Sequence, residues 1–207
     1  FPTRRSSDLY IIHVMTKTTR DKLIDTMIDA LQRKGLHGVG LNELLAAADA
    51  PKGSLYHHFP NGKTELAVAA IERVGQRAEQ AFAALFQRQS DPLDALTIWL
   101  QGALGQLQES AFERGCPLAT VALESAPQDH EIRAALANAF AAIRQALQQQ
   151  LQRHGYPQPE GLAALFVALY EGGLLQARVA GSSEPLKQAV ATLLHLTRQH
   201  RMESPPA

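Results

Sequence analysis

Between Pro51 and Lys63 the chain gathers side chains suited to contact with a polyanion: Lys52, Ser54, Tyr56, His57 and His58, with Lys63 shortly after. Lys52 and Tyr56 can donate hydrogen bonds to phosphate oxygens, while Ser54 and His57 have the length and polar atoms to reach base edges. Gly53 lets a backbone come close. These groups share one surface only if the segment is helical, because Leu55 and Phe59, four apart, then face inward together.

The flanking sequence supplies the elements that would hold such a helix. Apolar residues at Leu23, Ile24, Met27, Ile28 and Leu31 form one helical stripe between Thr18 and Lys34, and Gly35 ends it. A second short helix is expected from Leu41 to Ala48, with Gly40 as N-cap and Glu43 placed to reach back to free backbone amides. Asp49-Ala50 makes the turn, Pro51 suits the first position of a third helix running to about Phe59, and Pro60-Asn61-Gly62 breaks it. Three short helices with a tight turn between the last two make a helix-turn-helix unit. The following helix opens at Gly62-Lys63-Thr64, where free amides and the positive end of the helix dipole suit another phosphate.

Helical spacing continues from Lys63 for more than twenty residues, through Leu66, Ala70, Ile71, Val74, Ala78, Phe82 and Leu85. Asp91-Pro92 begins the next helix, and others are expected at Pro117 to Glu124, Asp129 to Arg153, Pro159 to Ala180 and Glu184 to His200. No stretch alternates with period two and no fixed repeat is present, so the expected fold class is all-α.

Composition narrows the function classes. Twenty Lys plus Arg balance twenty Asp plus Glu, so any nucleic-acid surface is a local patch and not a general positive coat. One cysteine excludes a disulfide framework and a cysteine-based zinc site, and fits a reducing compartment such as the cytoplasm. No apolar run approaching the ~18 residues of a membrane span is evident. Gly62-Lys63-Thr64 resembles the end of a phosphate-binding loop, but His57 stands where that motif needs glycine and no strand precedes it. His130, His154, His195 and His200 have no partner at ligand spacing, and Ser182-Ser183 lie in a turn rather than a nucleophile elbow. No catalytic cluster, metal site or cofactor is expected.

Residues 1–14 begin with Phe1 and show no periodicity; they are expected to be a non-native or disordered tail, with the functional protein starting near Met15. Residues 203–207 are expected to be a disordered end.

The stretch from Leu44 to Leu66, Leu-Leu-Ala-Ala-Ala-Asp-Ala-Pro-Lys-Gly-Ser-Leu-Tyr-His-His-Phe-Pro-Asn-Gly-Lys-Thr-Glu-Leu, resembles the helix-turn-helix of the tetracycline-repressor (TetR) family. The resemblance implies a DNA-binding transcriptional regulator, with DNA contacts from Lys52, Ser54, Tyr56, His57, His58 and Lys63 and a further candidate at Asn42. Asp49 stands where the family usually has a turn glycine, and aspartate tolerates the left-handed backbone needed there. Gly40 replaces a common capping threonine, which removes that hydroxyl's phosphate contact. Gly115-Cys116-Pro117-Leu118 with Ala122-Leu123-Glu124, and then Glu171-Gly172-Gly173-Leu174, are similar to the LmrA/YxaF-like branch, whose members include multidrug-responsive repressors.

That resemblance implies a DNA-binding domain over 15–62 and a helical effector-binding and dimerisation domain over 63–202. Trp99, Phe112, Cys116, Leu118, Val121, Phe140, Phe166 and Tyr170 then serve either as core or as the lining of an apolar effector pocket, with Glu124 as its polar group. Cys116 is the one residue whose chemistry could sense oxidants or electrophiles. The stripe Ile132, Leu136, Phe140, Ile143, Leu147 and Leu151, together with Leu162, Leu165, Phe166, Leu169 and Gly172-Gly173, is expected to form a homodimer seam. The function expected is a repressor that binds a near-palindromic operator as a dimer and is released by a small molecule. The alternative is a helical ligand-binding or scaffolding protein without operator-specific DNA binding.

Overall fold

The computed structural model describes residues 17–203. The expectations for residues 1–14 and for 204–207 lie outside that range.

Nine helices follow one another among the described residues, with no strand: α1 Thr19–Lys34, α2 Leu41–Ala47, α3 Ser54–His58, α4 Lys63–Arg88, α5 Pro92–Glu109, α6 Pro117–Glu124, α7 His130–Arg153, α8 Pro159–Ala180 and α9 Glu184–Glu203. α9 therefore runs three residues beyond His200 and takes in Glu203, which the sequence reading assigns to the tail. The helix ends follow local chemistry. The Thr18 side chain accepts a hydrogen bond from the Asp21 amide and starts α1, and Gly35, at φ 72°, ends it with its N–H on the Leu31 carbonyl. Asp91 caps α5 through the Leu93 amide at 2.7 Å and also accepts from the Tyr156 hydroxyl at 2.8 Å, which ties the start of α5 to the α7–α8 connection.

Two details of the helix-turn-helix differ from the sequence reading. The third helix begins at Ser54, not Lys52, because the Pro51 carbonyl closes a turn onto the Ser54 amide at 2.9 Å before the helix opens. Glu43 does not reach back to the start of α2; its carboxylate pairs with Lys34 at the end of α1. Asp49 does adopt the left-handed backbone, at φ 50°.

Apolar residues collect in two cores. The first joins α1, α2 and α3 through Leu23, Met27, Leu31, Leu45, Leu55 and Phe59, and it does not stop at residue 62. Leu66 and Ile71 of α4, Leu118 and Val121 of α6, and Ile132 and Leu136 of α7 complete it, so the small three-helix head is welded to the helices behind it. The second fills the space between α4, α5, α7, α8 and α9 with Phe82, Leu96, Leu107, Leu147, Phe166 and Val190. Gly75 lets α4 and α7 approach closely, since a Cβ there would lie 3.2 Å from that of Ala139.

The α7 stripe expected at a dimer seam belongs to these cores instead. Ile132, Leu136, Leu147 and Leu151 are buried within the chain, and Phe140 and Ile143 pack against its cores. On α8, Phe166 is buried and Gly173 meets Leu186 of α9, whereas Leu165, Leu175 and Val179 stay exposed. α8 is also long and apolar enough to cross a membrane by length and composition, at mean hydropathy 1.3, which corrects the sequence reading on that point. Its other face packs between α7 and α9.

Candidate nucleic-acid interface and effector cavity

The α2–α3 unit is held from below by Leu44, Leu45, Leu55 and Phe59, all buried, and its polar residues are left outside. Asn42, Lys52, Gly53, Tyr56 and His57 are exposed, and Ser54 and His58 are half-buried. Tyr56 is 59 % exposed, a large value for an aromatic ring that could have packed inward. Gly62, whose φ of 70° favours glycine, lies beside that ring; a Cβ there would be 3.4 Å from Tyr56 Cε1, an ordinary contact. His57 and His58 meet edge to face at 4.8 Å, and Arg20 of α1 lies over the Phe59 ring at 5.1 Å, adding positive charge beside α3.

Two of the polar residues are engaged within the chain. Ser54 Oγ donates to the Pro51 carbonyl at 2.5 Å, steadying the turn before α3. Lys63 Nζ donates to the Val39 carbonyl at 2.6 Å and so braces α4 against the loop before α2. At the start of α4, Glu65 accepts the Asn61 amide at 2.8 Å, so a carboxylate of the chain itself already occupies part of the expected anion position.

Behind the head, a cavity of about 150 Å3 lies among α4, α5, α6, α7 and α8, with Gln32 of α1 also at its wall. Of the residues expected to line a pocket, Trp99, Cys116, Leu118, Phe166 and Tyr170 do so, joined by Phe82 and Glu171. Trp99 is the hub of its aromatic wall, with ring centroids 4.5 Å from Tyr170, 5.2 Å from Phe82 and 5.8 Å from Phe166. A wider lobe of about 390 Å3 shares Gly115, Cys116 and Glu171 with it and is lined by Phe140. Val121 is not at the cavity; it is fully buried in the first core because it falls on the α6 face turned to α1. Phe112, at φ 63° in the turn after α5, packs against the second core without lining the cavity.

Glu124 is the clearest correction. Its Oε2 accepts the amides of Leu36 at 2.5 Å and His37 at 3.2 Å, so it caps the loop after α1 and does not serve the cavity. Gly35 is what allows this, since a Cβ there would collide with the carboxylate. The neighbouring segment is tied to the same helix. The Gly115 amide donates to the Gln32 carbonyl at 3.0 Å, Arg114 pairs with Asp29 at 2.6 Å, and Arg33 pairs with Glu113. On the other side α4 is fastened to α1 by Arg73 on Asp21 at 2.9 Å and by Arg77 on Asp25. Hydrogen bonds from Thr18 and Arg73 hold the Asp21 carboxyl below its ordinary value. Burial works to raise Asp25, and Lys17 and Arg77 outweigh it.

The charged group of the cavity is Glu171. Its Oε2 is buried with no hydrogen-bond partner. Burial pushes its carboxyl up to about 7, with a hydrogen bond from the Cys116 thiol to the carboxyl pulling the other way. Burial, reinforced by Glu171, drives the Cys116 thiol well above its usual value, which disfavours the thiolate that redox or electrophile chemistry needs. Burial likewise raises the Tyr170 hydroxyl, so it stays protonated. Sequence reasoning marks Glu171 only within its Glu-Gly-Gly-Leu run. The available signal is that it is the one charged residue between Glu160 and Arg178 on an otherwise apolar helix. Among the described residues no group of His, Cys, Asp and Glu is arranged to hold a metal.

Comparison with known proteins gives a match on each half of the chain. Residues 23–70 match the model of the bacterial regulatory proteins of the tetR family, and residues 92–192 match that of the LmrA/YxaF-like transcriptional regulator C-terminal domain. The HTH-type regulator YxaF of Bacillus subtilis is 29 % identical over 170 residues, 81 % of this chain and 89 % of that protein. The repressor NemR of Escherichia coli is 30 % identical over 181 residues, 84 % of this chain and 90 % of that protein. The crystal structure of its reduced form superposes with a TM-score of 0.75, covering 84 % of this chain and 94 % of that one. With an outward-facing polar α3 on a buried apolar base, and family models matched on both halves, the chain belongs to the TetR family of DNA-binding transcriptional regulators, in its LmrA/YxaF-like branch.

Proposed function

We propose that this regulator binds a near-palindromic operator as a homodimer in the cytoplasm and is released from it by a small molecule held in the cavity beside Trp99. Lys52 and Tyr56 donate to phosphates, and His57 and Asn42 face the bases, with Gly53 allowing close approach; Ser54, its hydroxyl on the Pro51 carbonyl, acts by steadying the turn. His58, edge to face with His57, orders that side chain. Lys63 acts by bracing α4, since its ammonium is already on the Val39 carbonyl. The dimer seam falls on the outer face of α8 and α9, where Leu165, Leu175, Val179 and Leu196 are exposed. Val179, at 85 % exposure, is the kind of apolar side chain that a partner surface covers. A twofold pair of α3 helices then spans half-sites ~34–36 Å apart or a multiple of that.

The observation that carries the release step is the double fastening of α1. One cavity wall is α4, through Val74, Ala78 and Phe82, and another is the segment from Gly115 to Leu118. Both walls continue into contacts with α1 or the loop that follows it: α4 through the Arg73 and Arg77 ion pairs, and the Gly115–Glu124 segment through Gly115 on Gln32 and Glu124 on the Leu36 and His37 amides. A ligand that separates the two walls therefore turns α1, and with it the α2–α3 unit, away from the spacing that fits the groove. Such a ligand shifts the balance only by its difference in affinity for the two arrangements, typically ~1–3 kcal/mol.

The test is selection of bound sequences from a random duplex DNA pool with the purified full chain at one stated salt concentration. Enrichment of a palindrome is expected. A folded dimer that enriches nothing would instead favour a helical ligand-binding or scaffolding role without operator binding.

A further inference from the structure

The ligand-release reading leaves open which chemistry the cavity selects, and the side chains around Glu171 answer that. Four aromatic rings, those of Phe82, Trp99, Phe166 and Tyr170, form one wall, and a buried carboxyl with a bare Oε2 stands next to them. No Lys, Arg or His lines this inner lobe. Arg178, two turns along α8, lines the outer lobe, where it lies against Gly115, and Glu171 is in none of the ion pairs among the described residues.

A buried carboxyl oxygen without a partner costs stability, and a protein that keeps one in a cavity has a group waiting for a donor. Aromatic faces attract cations, more strongly when water is excluded. An apolar cavity of ~150 Å3 holds one benzene-sized ring. The cavity here has about that volume, and the shared wall at Gly115, Cys116 and Glu171 gives a short substituent room toward the outer lobe.

We propose that this cavity is a binding site for a small organic cation, a single ring bearing a short-armed ammonium group, with the ring among Trp99, Phe166 and Tyr170 and the ammonium N–H donating to Glu171 Oε2. This rests on the reading of the cavity as the effector site, but its test does not require DNA. In its ionised form Glu171 supplies charge neutralisation and the aromatic wall supplies apolar burial and cation–π attraction; a bound ammonium favours that ionised form, whereas an anionic ligand opposes it.

The experiment is calorimetric titration of the full chain with three probes of matched shape: 2-phenylethylamine, which is a cation at neutral pH, neutral 2-phenylethanol, and the anion 3-phenylpropanoate. The amine is expected to bind at least tenfold tighter than the alcohol, and the carboxylate not to bind. Glu171→Gln should lose tenfold or more for the amine while changing the alcohol less than twofold. Trp99→Leu, which keeps an apolar wall, should weaken the amine several-fold, and thermal melting of both variants verifies that they fold. Equal affinity for amine and alcohol, unchanged amine binding in Glu171→Gln, or no binding of any probe overturns the proposal. Amine binding that leaves operator affinity unchanged would uphold the cation site and contradict the release reading, so the two fail separately.

Discussion

Tyr56 and Tyr170 are the same side chain put to opposite uses. Tyr56 stands out from α3 beside Gly62 with most of its surface in water, whereas Tyr170 lies against Trp99 with its hydroxyl pushed toward permanent protonation. The regions around them differ in the same way. The α2–α3 unit keeps its polar atoms at the surface or spends them on its own turns, as Ser54 and Lys63 do. The cavity keeps a carboxyl under cover with one oxygen unanswered. An exposed polar surface suits a large, water-covered polyanion met over many weak contacts, while a covered, unsatisfied group suits one small ligand met once.

The largest expected effect breaks the comparison at the cavity. A carboxyl whose folded pKa is about 7 against 4.5 unfolded holds an extra proton in the folded state between those values. Its contribution to stability is therefore complete below about pH 4.5 and is lost as the pH rises through 7. Glu171→Gln removes this titration. Denaturant unfolding should show the variant gaining on the parent by up to about 3 kcal/mol between about pH 5 and pH 8. A difference that does not change with pH would mean that Glu171 is solvated like a surface carboxyl. Cys116 and Tyr170, the other titratable groups at this spot, stay protonated throughout that window because burial raises both.

A smaller effect sharpens the link between the two regions. Glu124→Ala removes the acceptor for the Leu36 and His37 amides, a charge-assisted pair worth about 2 kcal/mol of stability. Beyond the lost stability, the variant should bind operator but respond less to 2-phenylethylamine, since the fastening on this side of α1 is weakened to the Gly115, Arg114 and Arg33 contacts. Full retention of the response would mean that Glu124 takes no part in the coupling.

The difference between the regions also explains what can be read from the amino acids. The α2–α3 unit is local: its turn, its inward Leu55 and Phe59 and its outward polar set lie within a few residues of one another, so spacing alone arranges them. Asp49 in the left-handed region and Gly35 as a stop follow from the same short-range chemistry. Glu124 escapes that logic because its partners, the Leu36 and His37 amides, stand almost ninety residues earlier and only the docking of α6 on α1 brings them together. Glu171 escapes it for the same reason, its role depending on rings contributed by α4 and α5. The α7 stripe reads as an interface because helical periodicity marks a buried face without saying whether the same chain or a second copy buries it.

The smallest expected effect is also the most direct test of the central claim that α3 reads DNA. Operator affinity is measured by fluorescence anisotropy across a salt series for the parent, Lys52→Ala and Tyr56→Phe. The parent should lose affinity linearly in log salt. Lys52→Ala should lower that slope by about one and weaken binding by about 1 kcal/mol, with Tyr56→Phe weakening it comparably at unchanged slope. A parent slope near zero, or the same affinity and slope in all three proteins, would contradict the assignment of α3 as the DNA-reading helix.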